Sequence, residues 1–300
     1  MHILIPLQEV DEIGALVDCG ARHFYAGAEE QVLFGRDTGD IVNGRPYPGC
    51  SFSSRDSLTT AADLITAAGG SLELAVNWTY SDVAAEAVVE FLESQDQLHA
   101  AIVGDVGLMR LLQHRQARIP VVASTFAHVM NRLAVQFFRH LGVFRIVLPR
   151  HLGIPEIARL ASQEPDVEFE VFVKNQDCLF VNGLCFNTHD RITDVSYSCS
   201  DFSELYFEPV VKNYAPLPEY RPSRLFNECG ACALKALDRA GVAVVKVAGR
   251  GMDPERKLLD YIFLREARAR ISLEDEDFGR TVRKLHRKIY GEPCERDCMY

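Results

Sequence analysis

The chain has 300 residues, of which 48% are hydrophobic and 25% are charged, and its formal net charge is −10. This composition provides enough apolar surface for a full globular core, and no apolar run approaches the roughly 20 residues that a membrane span needs. The acidic balance disfavours a broad phosphate-binding surface, which requires clustered Lys and Arg. The basic run at 280–288 leaves a local patch open, so nucleic acid is disfavoured rather than excluded. The N-terminal segment lacks the basic flank and cleavage site of a signal peptide, and we expect a cytoplasmic protein.

Short apolar runs alternate with amphipathic helical stretches along the chain. Eight runs are predicted as strands, at 2–7, 23–27, 72–77, 100–105, 120–125, 144–150, 167–174 and 242–249. Eight strands that are each followed by a helix predict a parallel sheet with right-handed crossovers. The count favours an α/β fold of the TIM type, a (β/α)8-like barrel, over an open doubly wound sheet.

The connection between the seventh and eighth strands is far longer than connections usually are. We therefore predict a single barrel domain over 1–300 that contains a cysteine-rich insertion at 175–241. A C-terminal helix and a cysteine-containing tail are expected at 272–300. Because barrel enzymes build their sites from the loops that follow the strands, the insertion is the first place to look for chemistry.

Five of the nine cysteines fall in this insertion: Cys178, Cys185, Cys199, Cys229 and Cys232. A reducing cytoplasm disfavours structural disulfides. Only Cys229 and Cys232 form the short knuckle that zinc sites prefer, whereas an iron–sulfur cluster tolerates irregular spacing. Spacing alone therefore favours a metal site, iron–sulfur ahead of zinc, and leaves free core thiols or a redox disulfide open.

Polar residues at the carboxyl ends of barrel strands point into the site. The predicted strand ends carry Asn77, Asp105, Ser124, Arg150, Lys174 and Lys246, with Arg250 just beyond. We predict catalytic roles for Asp105, Arg150 and Lys246, and substrate binding by Asn77, Ser124, Lys174 and Arg250. Arg150, Lys246 and Arg250 would form a cationic cluster for a carboxylate or phosphate. An alternative of equal weight is that Lys246 and Arg250 pair with Asp or Glu across the barrel.

Four further side chains are weaker candidates: His128, His151, His189 and Trp78. A histidine could serve as an acid, a base or a ligand, but a single histidine is more often a satisfied polar residue. The tryptophan could stack on a planar substrate or could belong to the packing.

The segment "EVFVKNQDCLFVNGLC" at 170–185 resembles the signature of peptidase family U32. The matching positions are Glu170, Phe172, Cys178, Gly183 and Cys185. Further similarities follow in the family's order, in "GDVGLMRLL" at 104–112, "ASTFAHVMN" at 123–131, "VLPRHL" at 147–152 and "KVAGR" at 246–250.

The resemblance implies a barrel-like fold and a [4Fe–4S] cluster held by four cysteines. Several members of the family act in oxygen-independent hydroxylation, of a quinone precursor ring or of RNA bases, and others were described as proteases. By position, Cys178, Cys185 and Cys199 match three of the cluster ligands. Cys229 matches the fourth, with Cys232 as its rival.

Two departures from the family pattern affect the mechanism. Residues 175–177 are Asn, Gln and Asp instead of small and aliphatic residues, and His151 replaces a glutamate that would be a natural acid–base group. The tail cysteines Cys294 and Cys298 could be further ligands, a redox pair or idle.

We expect the chain to modify a small planar or aromatic metabolite by an oxygen-independent reaction of the hydroxylation type. Three alternatives remain open: a peptidase, RNA base hydroxylation, and a non-catalytic iron–sulfur subunit within a hetero-complex. A paralogous U32-type partner subunit is possible in any of these cases. The peptidase alternative has no H-E-x-x-H or G-x-S-x-G motif to support it.

Overall fold

A computed structural model of the protein describes residues 1–36, 42–44, 49–175, 229–294 and 298–300. Several residues named from the sequence lie outside these ranges: the departures at 176 and 177, and Cys178, Gly183, Cys185, His189 and Cys199.

Eight parallel strands close into one barrel, in which each strand pairs with the next and the last pairs with the first. They are β1 (His2–Leu7), β2 (His23–Gly27), β3 (Ser71–Val76), β4 (Ala100–Val103), β5 (Val121–Ala123), β6 (Val143–Val147), β7 (Glu168–Lys174) and β8 (Val244–Val247). The predicted TIM-type (β/α)8 barrel is therefore confirmed, and residues 176–228 fall between β7 and β8.

Helices follow the strands around the outside of the barrel. They are α1 (Glu12–Asp18), α2 (Glu30–Phe34), α3 (Arg55–Ala67), α4 (Asp82–Glu93), α5 (Val106–Arg115), α6 (Arg132–His140), α7 (Ile154–Gln163), α8 (Leu234–Arg239), α9 (Pro254–Arg268) and α10 (Asp275–Tyr290). Local sequence sets several of their boundaries. The Ser81 side chain accepts a hydrogen bond from the Ala84 N–H at the start of α4, and Gly142 adopts a positive φ of 83° just after α6. These are the residue types that begin and end helices.

Within the described ranges, no helix combines the length and apolar character that crossing a membrane requires.

The strands alternate between two cores because successive side chains point to opposite faces of a sheet. On β2, Phe24 packs outward against the helices, whereas Tyr25 points into the barrel. On β8, Val245 packs outward, whereas Val244 packs inside the barrel. The interior therefore receives one residue in two from each strand, which fixes the side chains available to the barrel mouth.

The barrel interior holds buried side chains of opposite charge that pair with one another. The Arg145 guanidinium donates hydrogen bonds to Glu73 at 2.5 Å and to Glu170 at 3.3 Å. Lys246 donates to the other oxygen of Glu170 at 2.8 Å. Burial, and next the nearby Glu170 carboxylate, raise the pKa of Glu73. Because buried charges are tolerated only when they are paired, this network is a structural part of the barrel.

Candidate functional site

An open cavity lies at the carboxyl end of the barrel. Five of the seven predicted catalytic and substrate-binding residues line it: Asn77, Ser124, Arg150, Lys246 and Arg250. Active sites of TIM-type barrels lie at this end of the strands. The cavity is therefore the candidate site.

Arg250 is held at the cavity by polar contacts and by a glycine. Its Nη2 donates a hydrogen bond to the Asn43 side-chain oxygen at 2.7 Å, and the side chain is buried. An ideal Cβ on Gly27 would lie only 1.6 Å from Arg250 Nη1. The guanidinium therefore occupies space that any other residue at position 27 would fill.

Lys246 and Arg150 reach the cavity across the ring of Phe172. The Arg150 Cζ lies 4.4 Å from the centre of this ring, and Lys246 Nζ lies 4.0 Å from the centre of the Tyr25 ring. Lys246 also forms an ion pair with Glu170 of the neighbouring strand β7, so it is paired with a carboxylate, but not across the barrel. The three cations thus share one cavity, and aromatic faces lie beside two of them.

A polar wall faces these cations. The Asn77 side chain accepts a hydrogen bond from the Gly44 N–H at 2.9 Å and donates to Ser124 Oγ at 3.1 Å. Next to Ser124, the Thr125 hydroxyl is buried and has no hydrogen-bond partner among the described residues. A buried polar group without a partner is rare and marks a place where a ligand or water can bind.

Four polar or aromatic residues that line the cavity were not predicted as site residues: Tyr25, Thr125, Phe126 and Phe172. A signal for two of them was present, because Tyr25 and Phe172 lie at inward positions of their strands. Thr125 and Phe126 belong to a short 3₁₀ helix, Thr125–Ala127, that periodicity does not predict.

Asp105 and Lys174 do not line the cavity. Both oxygens of Asp105 accept backbone hydrogen bonds, from the N–H groups of Leu108 at 2.9 Å and Tyr80 at 3.1 Å, so it caps α5. Lys174 is buried and faces Asp260 of α9, with 3.7 Å between Nζ and Oδ1. Geometry therefore gives Asp105 a capping role and places Lys174 outside the barrel interior.

The weaker candidates are scattered. Trp78 packs against Phe126 with 6.1 Å between the ring centres, and His151 is exposed. The Nδ1 atom of His128 is buried and has no hydrogen-bond partner in the described part of the chain. The basic run at 280–288 lies on α10.

Of the described cysteines of the insertion, Cys229 lies against the end of β7, and neither it nor Cys232 lines the cavity. Cys229 forms an antiparallel bridge with Lys174 at the end of β7, the strand whose Phe172 lines the cavity. It also forms a parallel bridge with Cys298 of the tail. The Ala231 N–H points to Cys229 Sγ, with 3.5 Å between N and S. This contact suits a thiolate, which accepts hydrogen bonds from the backbone of its own knuckle.

The Cys232 thiol is influenced by three other cysteines. Burial, and next the charges of Cys229, Cys298 and Cys294, together raise the pKa of Cys232 to about 11. Burial also raises the pKa of Cys229, and the Lys174 ammonium is the largest opposing influence. Among the described residues, no three Cys, His, Asp or Glu side chains are already arranged to hold a metal ion.

A closed (β/α)8 barrel with a cationic cavity and a cysteine segment at the end of its seventh strand defines the class of this protein. The model of peptidase family U32 matches residues 8–290, and the chain belongs to that family.

Three relatives illustrate the sequence similarity. "tRNA hydroxylation protein P" of Haemophilus influenzae is 36% identical over 86 residues, which are 29% of this chain and 19% of the relative. The protein of the same name from Helicobacter pylori strain J99 is 33% identical over 117 residues, 38% of this chain and 28% of the relative. An uncharacterized protease of Methanocaldococcus jannaschii is 30% identical over 105 residues, 34% of this chain and 25% of the relative. The similarity therefore spans less than a third of these relatives.

A solved structure of a U32 peptidase, Mk0906, is similar to the chain with a TM-score of 0.51 and 15% identity. The match covers 83% of this chain and 93% of that one. At this identity the similarity shows the fold alone.

Proposed function

We propose that the chain carries out an oxygen-independent modification of the hydroxylation type, with a [4Fe–4S] cluster held by Cys178, Cys185, Cys199 and Cys229. One observation carries the proposal. The segment of Cys229 pairs with β7 two residues beyond Phe172, so a cluster bound there would lie beside the cationic cavity. The names of the relatives, which refer to tRNA hydroxylation, support the reaction type.

Of the four proposed ligands, Cys229 lies in the described part of the chain, and its surroundings suit that role. Cys229 offers a thiol with a backbone N–H donor, and hydrogen bonds of this kind to the sulfurs tune such clusters. The fourth ligand could instead be Cys232, three residues along the same knuckle. When bound, the cluster would supply redox or Lewis-acid chemistry at the mouth of the barrel.

The cavity residues bind and orient the substrate. Arg150 and Arg250 offer planar donor sets for a carboxylate or phosphate. Lys246 adds a charge that Glu170 partly compensates, and the rings of Tyr25 and Phe172 offer apolar faces for a planar group. The Thr125 hydroxyl supplies a further hydrogen bond. We propose a small planar or aromatic metabolite with an anionic group as the substrate.

RNA base hydroxylation is the second candidate, because two of the relatives are named for tRNA hydroxylation. The cations of the cavity would then contact a phosphate next to the modified base. The net charge of −10 favours a small molecule over RNA.

Peptide hydrolysis finds no support in the cavity. Of the described residues that line it, none is Asp, Glu, His or Cys. Hydrolysis needs an activated nucleophile with a base in reach, or a metal-bound water. A cluster-binding subunit that acts only with a paralogous U32-type partner remains the non-catalytic alternative.

Anaerobic purification tests the cluster. We expect a brown protein with about four iron ions per chain and an absorbance band at about 400 nm. Replacement of Cys178, Cys185, Cys199 or Cys229 by Ala should each remove the colour, whereas Cys232→Ala should keep it. A colourless protein that contains zinc alone would contradict the proposal.

The substrate class is tested in a deletion strain grown without oxygen. Small metabolites and tRNA nucleosides are profiled by mass spectrometry after complementation with wild type or with Arg250→Met. A metabolite that only the wild type restores supports the small-molecule proposal. A hydroxylated nucleoside in its place establishes the RNA alternative. Restored peptide products, or a requirement for a partner protein, would contradict both.

A further inference from the structure

Thr125 is a buried polar residue in the wall of the cavity. Its side chain is only 6% exposed, and the residue lines the cavity just after β5. The Thr125 hydroxyl has no hydrogen-bond partner among the described residues. Because a buried hydroxyl without a partner destabilises the folded protein, this position favours a ligand that supplies the missing hydrogen bond.

The other polar side chains of this wall already bond within the protein. The Asn77 side chain accepts a hydrogen bond from the Gly44 N–H and donates one to Ser124 Oγ. Ser124 Oγ accepts a second hydrogen bond, from the Phe126 N–H at 3.3 Å. Of the three polar side chains in the wall, Thr125 is therefore the one whose hydroxyl is left for a ligand.

The backbone holds Thr125 in a fixed place. The residue begins the 3₁₀ helix Thr125–Ala127, and the Ser124 side chain caps the start of this helix. At the other end, the His128 N–H donates to the Thr125 carbonyl at 3.3 Å. A β-branched side chain also has few χ1 rotamers. A ligand that bonds to this hydroxyl therefore has little ordering cost to overcome.

The floor of the cavity is apolar. Four lining residues also belong to the core inside the barrel: Ala75, Ile102, Val147 and Ala248. None of these four has a side chain that can form hydrogen bonds. A planar apolar ring suits this floor, and the polar groups of a ligand must then lie at the edges of the ring.

The topology of the barrel separates Thr125 from two of the cations. Thr125 follows β5, whereas Lys246 lies on β8 and Arg250 follows it, and these strands are three positions apart in a closed barrel of eight. The interior of such a barrel is wide enough for one small ligand. A ligand whose anion contacts the cations can thus reach Thr125 with the opposite end of its ring.

We propose that the substrate carries a second polar group, a hydroxyl or carbonyl, at the end of its ring away from the anion. Thr125 selects for this group by a hydrogen bond and is a specificity-determining residue. The inference rests on the proposed function, because it requires the anion to bind at Arg150, Lys246 and Arg250.

Isothermal titration calorimetry with three probes tests the inference. The probes are phenylacetate, 4-hydroxyphenylacetate and 4-methylphenylacetate, in which a methyl group replaces the hydroxyl at similar size. Wild type should bind the hydroxyl probe about tenfold more tightly than the methyl probe, because only the hydroxyl satisfies the buried Thr125 side chain. Thr125→Val, which keeps the shape, should lose this preference, and Thr125→Ser, which keeps the hydroxyl, should retain it.

Two further variants serve as controls. Thr60→Val removes an exposed hydroxyl on α3 that bonds to the Asp56 carbonyl at 2.7 Å, and it should leave all three affinities unchanged. Arg250→Met should weaken all three probes by a similar factor, since each carries the same carboxylate. If Thr125→Val does not fold, Thr125→Ala takes its place.

The outcomes separate this inference from the proposed function. If wild type binds the hydroxyl and methyl probes equally, or if Thr125→Val weakens all three probes alike, Thr125 does not select the substrate. Failure of wild type to bind any of the three carboxylates would overturn the anion site and the proposed substrate together with this inference.

Discussion

The guanidinium of Arg250 lies over the bare backbone of Gly27, where a Cβ atom would be 1.6 Å from Nη1 and 2.9 Å from Cζ. Real Cβ atoms do not approach other atoms so closely, so the two residues depend on each other. A strand residue at the end of β2 thereby sets the position of a cation that follows β8.

Gly27→Ala should therefore displace Arg250 and weaken anion binding at the cavity. We expect at least an approximately tenfold loss of affinity, because a charge-assisted hydrogen bond contributes roughly 1.5–3 kcal/mol. Isothermal titration calorimetry with inorganic phosphate measures it. Gly14→Ala is the matched control, since nothing lies within 4 Å of a Cβ there. Equal phosphate affinity in the two variants would show that Arg250 does not bind the anion.

The ion pair between Glu170 and Lys246 should be costly to break from one side. Glu170→Gln leaves the buried Lys246 ammonium without its carboxylate, and we expect a loss of about 3 kcal/mol in the free energy of unfolding. The double variant with Lys246→Met should be less destabilised than the sum of the single changes. Urea denaturation provides all three values.

The control for this prediction is an exposed ion pair, Arg115 with Glu86. Glu86→Gln should change the free energy of unfolding by less than about 1 kcal/mol, because solvent screens exposed pairs. A similar small effect of Glu170→Gln would mean that the ion pair with Lys246 does not stabilise the barrel interior.

Histidines at the amino end of the barrel should make the protein less stable in mild acid. Burial lowers the pKa of His23 to about 4, and burial also lowers the pKa values of His2 and His99. Below the unfolded pKa of about 6.5, the unfolded chain binds protons that the folded chain does not. Stability from His23 is therefore complete above that value and is lost as the pH falls toward 4.

Between pH 7 and pH 5 the loss from His23 should be about 2 kcal/mol at most. Urea denaturation at the two pH values measures it, with His23→Gln as the comparison. The variant keeps a group that can hydrogen-bond to Ser71 Oγ, which His23 Nδ1 approaches to 2.9 Å. If the variant shows the same pH dependence as the wild type, His23 is not the group responsible.

The barrel could be predicted from the sequence because its signals are local. Each strand is a short apolar run, and Ser81 and Gly142 mark helix ends by their own chemistry. Few folds can bury eight such apolar strands, so their number indicates the barrel. Strand-end positions also brought Arg150, Lys246 and Arg250 to one cavity, because parallel strands in a barrel end at the same rim.

The direction and the contacts of individual polar side chains could not be predicted from strand ends. Asp105 and Lys174 also end strands, yet one caps a helix and the other faces α9. The direction of Lys174 follows a register irregularity between Phe172 and Lys174 on β7, where the alternation of faces breaks down. Such an irregularity depends on the pairing with the neighbouring strand, and the local sequence does not predict it.

The tail should protect the Cys229 segment. The Tyr300 hydroxyl donates a hydrogen bond to the Phe172 carbonyl at 3.0 Å, and its ring lies against Gly230, where a Cβ would meet it at 3.3 Å. The Met299 N–H donates to the Cys229 carbonyl at 3.3 Å. Tyr300→Ala should release this packing and expose the Cys229 thiol.

Alkylation of the iron-free protein by iodoacetamide, followed by mass spectrometry, measures that exposure. We expect Cys229 to be labelled about tenfold faster in Tyr300→Ala. This factor corresponds to a decrease of about 1.4 kcal/mol in the free energy of local opening. Tyr300→Phe keeps the ring and loses only the hydrogen bond, so its effect should be smaller. Labelling of Cys19, which lies after α1 and packs beside Arg265, should not change. If Cys229 reacts at the wild-type rate in Tyr300→Ala, the tail does not cover it.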